Sequence, residues 1–227
     1  MTRLLLISFL FQAGAFSTSE LDKARDAQNR GALERLASQF STALDKQPNE
    51  VQLQYRYALA ESYIAEVAME TGDKNGARTA AEAGMKPAEK IASSNPGNAE
   101  YHRLLGTLCG QVIPANPILG LRYGKCAQDE VNKAVELDPK GAANYLSRGV
   151  GNYYLPASFG GGADAAIKDF QKAIELDPRS PQAHLWLGLA LRKANRNAEA
   201  HKEMERAVEL DPARVWAKQQ LAKTAEK

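Results

Sequence analysis

The sequence is poor in the residues that perform chemistry. Its 227 residues include two cysteines and three histidines. His102, His184 and His201 do not form HExxH or any comparable ligand spacing. Two cysteines are too few for a structural zinc set, so no metal site is expected. His102 and Cys109 are two helical turns apart, too far for a nucleophile and base on one helix. No GxSxG elbow occurs. Gly160-Gly161-Gly162 has no Lys-Ser or Lys-Thr after it and no strand before it. It reads as a flexible turn that lets Phe159 fold back on the body, with Asp164 near the start of the next helix. These absences point away from an enzyme, and no cofactor is expected.

Charge of one sign is also lacking. Lys and Arg number 29 and Asp and Glu 27, a net charge of +2, and there is no long run of like charges. That argues against nucleic acid, which needs a concentrated basic face. Past the first residues no apolar run is long enough to cross a bilayer. The first residues themselves form a short basic start, Met1-Thr2-Arg3, an apolar stretch from Leu4 to Phe11, and small residues from Ala13 to Ser17. This is the pattern of a signal peptide over residues 1–17, cleaved near Ala15 or Ser17. It predicts an exported, periplasmic protein. The alternative is a short buried helix in a cytoplasmic one. In an exported protein Cys109 and Cys126 would be free to pair; as buried thiols they would act as small apolar residues.

What the sequence has is repetition. Residues 132–139 read NKAVELDP, residues 171–178 QKAIELDP and residues 205–212 ERAVELDP. Weaker copies end at Pro48 and Pro96. The last proline interval, Pro178 to Pro212, is 34 residues, and the preceding ones are longer by 5, 9 and 14. Leu187-Gly188, Ala200 and Ala207 complete the pattern of the last unit, with Leu105-Gly106 and Gly149 matching upstream and Leu59-Ala60 taken for the second unit. Small residues let two helices approach, and Pro ends each unit. One helical pair cannot bury its apolar face alone, so stacked neighbours complete the core.

These motifs resemble the tetratricopeptide repeat family. The resemblance implies an all-α solenoid of antiparallel helix pairs over residues 18–227. Five repeats would end near Pro48, Pro96, Pro139, Pro178 and Pro212, followed by a capping helix at 213–227, about eleven helices in all. Pro87 is expected to kink one of them. HRLLGTLCGQV and NYYLPASFGGG also resemble bacterial envelope repeat proteins, including the repeat component of periplasmic uptake systems. They are similar, too, to mitochondrial and microtubule-associated repeat proteins.

In this family the first helices of the pairs line a concave groove. Counted from the Leu-Gly landmarks, the lining is expected to include Tyr57, Glu61, Arg103, Gln111, Tyr153, Tyr154, Arg192 and Lys193. His102 and His184 are expected to pack against a neighbouring helix. Leu185 and Leu189 stand where some relatives carry a carboxylate-clamping Lys and Asn, so a clamp for peptide C-termini is not expected. Two insertions, 112–124 with Pro114 and Pro117 and 153–164 around the glycine run, fall between the helices of their units. The implied function is a non-enzymatic scaffold binding a protein or peptide through groove and insertions. The alternative is a small-ligand component of a periplasmic uptake system.

Overall fold

A computed structural model describes residues 18–116 and 118–225. The signal-peptide reading of residues 1–17 therefore lies outside the described residues. Among the described residues eleven α-helices follow one another: α1 Thr18–Asp26, α2 Arg30–Lys46, α3 Val51–Glu70, α4 Lys74–Ser94, α5 Ala99–Val112, α6 Leu119–Leu137, α7 Ala142–Tyr154, α8 Ala163–Leu176, α9 Pro181–Lys193, α10 Asn197–Leu210 and α11 Val215–Ala225. They form five antiparallel pairs and a cap, the expected all-α solenoid. There is no strand among the described residues. Each first helix also packs on the next one, from α1 to α3, α5, α7 and α9, while each second helix leans on the pair that follows.

The repeated Asp-Pro step ends each unit by a local mechanism. Asp138, Asp177 and Asp211 leave the helical region, with φ near −136° and ψ of 84 to 88°, because the following proline disfavours a helical residue before it. Each carboxylate then accepts the N–H two residues on, from Lys140, Arg179 and Ala213 at 3.2, 3.1 and 3.0 Å. Within three pairs the turn is closed instead by a left-handed residue: Gln28, Gly72 and Asn195. The N–H after each one reaches back to the carbonyl five residues earlier, Asn29 to Ala24, Asp73 to Ala68 and Arg196 to Leu191. Gln28 carries a side chain in a conformation that favours glycine.

The small landmark residues set the closeness of each pair. A Cβ on Gly106 would stand 2.6 Å from Val131 Cγ2, one on Gly188 2.7 Å from Met204 Cγ, and one on Gly149 2.5 Å from the Phe170 ring. The rigid ring leaves least room, so Gly149→Ala is expected to cost about 1–3 kcal/mol. Urea unfolding read by circular dichroism measures it. α4 continues through Pro87 without a break in the helix. In the first insertion a 3-10 turn, Ile113–Ala115, follows α5, and α6 already begins at Leu119.

Candidate functional site

The face shared by the first helices is knitted together by polar side chains. Arg103 on α5 grips Glu100 with two hydrogen bonds of 2.8 and 2.6 Å and donates to Ser147 on α7 at 3.2 Å. Glu100 also accepts from the Tyr55 hydroxyl at 2.9 Å. Gln111 exchanges two hydrogen bonds with Ser62 on α3, at 3.1 and 3.0 Å. Nearer the amino end, Tyr63 donates to Asp22 at 2.8 Å, and the Arg25 guanidinium lies 4.7 Å above its ring.

Farther along, the face turns aromatic. Trp186 on α9 meets Tyr153, Tyr154 and Trp216 at ring-centroid distances of 5.6, 6.1 and 5.4 Å, all edge-to-face. Lys193 caps the Tyr153 ring at 4.4 Å and donates to the Tyr153 carbonyl. Arg192 donates to Gln220 Oε1 on the cap at 2.7 Å. Tyr154 remains 51 % exposed. Its phenol is nonetheless pushed up to about 12, first by the protein around it and then by Tyr153, Glu70 and Glu66. Of the eight residues expected on this face, these six stand on it, and each is engaged by a neighbouring first helix or by the cap.

Tyr57 and Glu61 are elsewhere. With Arg30, Glu34, Ser38 and Thr79 they line an outer cleft of about 420 Å³ between α2, α3 and α4. There Tyr57 and Glu61 influence each other's protonation. Burial, and then the Glu61 charge, push the Tyr57 phenol up to about 12. The correction has a geometric cause. Gly106, Gly149 and Gly188 each stand ten residues past a repeat-closing proline (96 to 106, 139 to 149, 178 to 188). From Pro48 the same count reaches Ala58, not the Ala60 taken as the landmark. Two residues turn a helix by about 200°, which moves Tyr57 and Glu61 to the opposite side. In the corrected register Tyr55, Ser62, Tyr63, Glu66 and Glu70 hold the inner face of α3.

Sequence reasoning also missed the group that closes this face. Arg214, just past Pro212, is 1 % exposed. It reaches the far end of the chain, donating to Glu66 Oε1 at 2.8 Å, to both oxygens of Glu70, and to the Arg25 carbonyl at 3.1 Å. Gln219 on the cap donates to Gln28 at 3.1 Å, and Gln28 donates to Glu70 at 2.8 Å. The last unit thus meets the first, and the stack curls toward its first-helix side. Only the corrected register of α3 would have placed Glu66 and Glu70 there; no local signal marks Arg214.

Cys109 on α5 and Cys126 on α6 form a disulfide, with Cα atoms 6.0 Å apart. It spans the first insertion, whose Ile118 and Leu121 are 71 % and 89 % exposed. In the second insertion Phe159 is 72 % exposed, which corrects the expectation that it folds back. Gly160 and Gly162 are left-handed, and a Cβ on Gly161 would strike the Leu155 carbonyl at 2.5 Å. The turn closes on backbone and leaves the ring outside.

His102 and His184 occupy equivalent places. Nδ1 lies 2.6 Å from Glu130 or Glu203, and Nε2 3.1 or 3.2 Å from the carbonyl of Pro96 or Pro178. Each clips a first helix to its partner and to the preceding turn. The hydrogen bond that His184 donates to Glu203 holds its pKa above the usual value, against the opposing effect of burial. Among the described residues no group of His, Cys, Asp and Glu is arranged to hold a metal, and no helix is long and apolar enough to cross a membrane.

Comparison with known proteins agrees with this architecture. The family model for Regulator of microtubule dynamics protein 1-3 matches residues 18–155, and a tetratricopeptide repeat model matches residues 157–215. The chain is 26% identical to Regulator of microtubule dynamics protein 3 of Mus musculus over 173 residues, covering 69% of this chain and 36% of that protein. It is 32% identical to Small glutamine-rich tetratricopeptide repeat-containing protein 2 of Mycosarcoma maydis over 104 residues, 46% of this chain and 28% of that one. The chain thus spans about a third of the length of the curated relatives it matches. The crystal structure of a thermophilic TPR protein of Thermus thermophilus superposes with a TM-score of 0.62 at 19% identity, over 92% of this chain and all of that one. That likeness is one of fold. Built of tetratricopeptide repeats and matched over most of its length, the chain belongs to the Regulator of microtubule dynamics protein 1-3 family.

Proposed function

We propose that the chain is a non-enzymatic interaction module that receives a protein or peptide segment along its first-helix face, framed by the insertions at 112–124 and 153–164. The observation that carries this is the aromatic cluster of Tyr153, Tyr154, Trp186 and Trp216, bordered by Arg192 and Lys193. Trp, Tyr and Arg dominate the energetics of protein interfaces because large, stiff side chains bury much area at small entropic cost. The exposed Ile118, Leu121 and Phe159 add apolar contact at the insertions. The mouse and bovine relatives are named as regulators of microtubule dynamics. Microtubules are protein assemblies, which agrees with a protein partner here. The Cys109–Cys126 disulfide supports an exported protein working in an oxidising compartment.

The test is a photo-crosslinking side chain placed at Tyr154 and, separately, at Tyr57. A discrete cross-linked species is expected from position 154 and not from position 57. It should disappear when Trp186 is replaced by leucine in the chain bearing the position-154 probe. Equal cross-linking at both positions, or cross-linking through position 57 alone, would overturn the assignment of the face.

A further inference from the structure

A repeat stack draws its stability from neighbouring units, so nothing in the architecture obliges its ends to touch. Here a guanidinium crosses from the last turn to a socket more than 140 residues earlier in the chain. Arg214 Nη1 bonds the Arg25 carbonyl at 3.1 Å and Glu70 Oε2 at 3.2 Å, and Nη2 bonds Glu66 and Glu70. Its Nε has no hydrogen bond and lies 3.7 Å from Asp26 Oδ1. The Trp216 ring stands 5.7 Å from Cζ. Glu70 is itself only 2 % exposed.

The charges decide what can open this contact. The socket holds three carboxylates, Asp26, Glu66 and Glu70. Arg25 hydrogen-bonds Asp26 at 2.9 and 2.8 Å, and its charge also acts on Glu66. If the ends part, Glu66 and Glu70 lose the guanidinium that bonds them both, in a site still walled by α1 and α3; Arg25 still acts on Glu66, and Glu70 keeps the Gln28 amide. A buried carboxylate without a partner is costly, so an incoming positive charge favours the opened form. The acceptors form a fork: two carboxylates and a backbone carbonyl around one planar group. That geometry suits guanidinium, with its fixed planar donors, better than a compact ammonium.

We propose that this socket is an arginine-binding site whose resident occupant is Arg214. An arginine of the partner takes its place, the ring opens, and the partner segment gains the first-helix face. The proposal rests on the reading that this face receives a protein partner. The closed ring is then a form in which the chain occupies its own site, and partner affinity is reduced by the fraction of molecules that remain closed.

Spin labels at Lys23→Cys and Lys218→Cys, both exposed positions near the two ends, report the closure with the native disulfide intact. Triarginine is expected to lengthen the label distance, and trilysine to do so far less. Glu66→Gln with Glu70→Gln should abolish the response. Arg214→Ala should bind triarginine about tenfold more tightly by calorimetry, because nothing competes for the socket. A distance unchanged at saturating triarginine, an equal response to trilysine, or no gain in affinity in a folded Arg214→Ala chain would each overturn the proposal. Should that variant not fold, the distance measurement on the chain with Arg214 in place decides. A chain that ignores triarginine yet cross-links through position 154 sinks the arginine site and leaves the partner face standing. Loss of both sinks both.

Discussion

Arg214→Ala is expected to remove about 3–5 kcal/mol of stability near neutral pH, the cost of stripping one partner from a buried ion pair. The side chain is 1 % exposed and Glu70 2 %, so solvent screens little of it. The deficit should depend on pH. Burial, and then the Glu66 charge, push the Glu70 carboxyl up to about 7, and Arg214 opposes that rise. In the unfolded chain the group titrates at its ordinary value of 4.5. Between those values the folded chain holds a proton that the unfolded chain has released. The stability contributed by Glu70 is therefore full below its unfolded pKa and lost as pH rises through the folded one. Removing Arg214 removes an opposing influence, so this loss should continue to higher pH. Urea unfolding at about pH 6 and about pH 8 is expected to show the larger deficit at the higher pH. A deficit under about 1 kcal/mol, as for an exposed ion pair, would mean the closure does not persist in solution.

Phe170→Ala is expected to cost about 3–5 kcal/mol as well, by a different route. Phe170 is fully buried on α8. Its ring fills the space that Gly149 leaves on α7 and stacks on Trp186 with centroids 6.2 Å apart. Truncation opens a cavity between two helices and removes the support under Trp186. The aromatic cluster should loosen with it, so tryptophan fluorescence is expected to shift alongside the unfolding midpoint. A lowered midpoint with unchanged emission would separate the core of the fourth repeat from the partner face.

The helices were legible because their punctuation is local. Asp-Pro ends a unit through its own backbone and carboxylate, and a small residue ten positions later marks where two helices touch. These signals need no knowledge of distant partners, and they carry the eleven helices from residues alone. The face was legible only where that count held. On α5, α7 and α9 it placed Arg103, Gln111, Tyr153, Tyr154, Arg192 and Lys193 together. On α3 two plausible small pairs, Tyr57-Ala58 and Leu59-Ala60, lie side by side. Choosing the second turned Tyr57 and Glu61 to the wrong side and hid Glu66 and Glu70. The exposure of Phe159 depends on backbone crowding at Gly161, which composition does not reveal. The Arg214 contact lay beyond reach for a stronger reason. Repeat patterns encode neighbours, and this contact joins units that are not neighbours.

That contact also bears on how the chain acquires its structure during synthesis. Residues near 66 and 70 leave the ribosome long before residue 214, and stacked repeats can fold as they emerge. Until the last turn is made, Glu66 and Glu70 sit in a folded neighbourhood that has not received its cation. A chain synthesised only as far as the fifth repeat thus presents an acidic opening that Arg214 later seals. Closure of the repeat stack is written into a single buried cation, and a protease or chaperone able to read that opening would distinguish stacks made before and after residue 214.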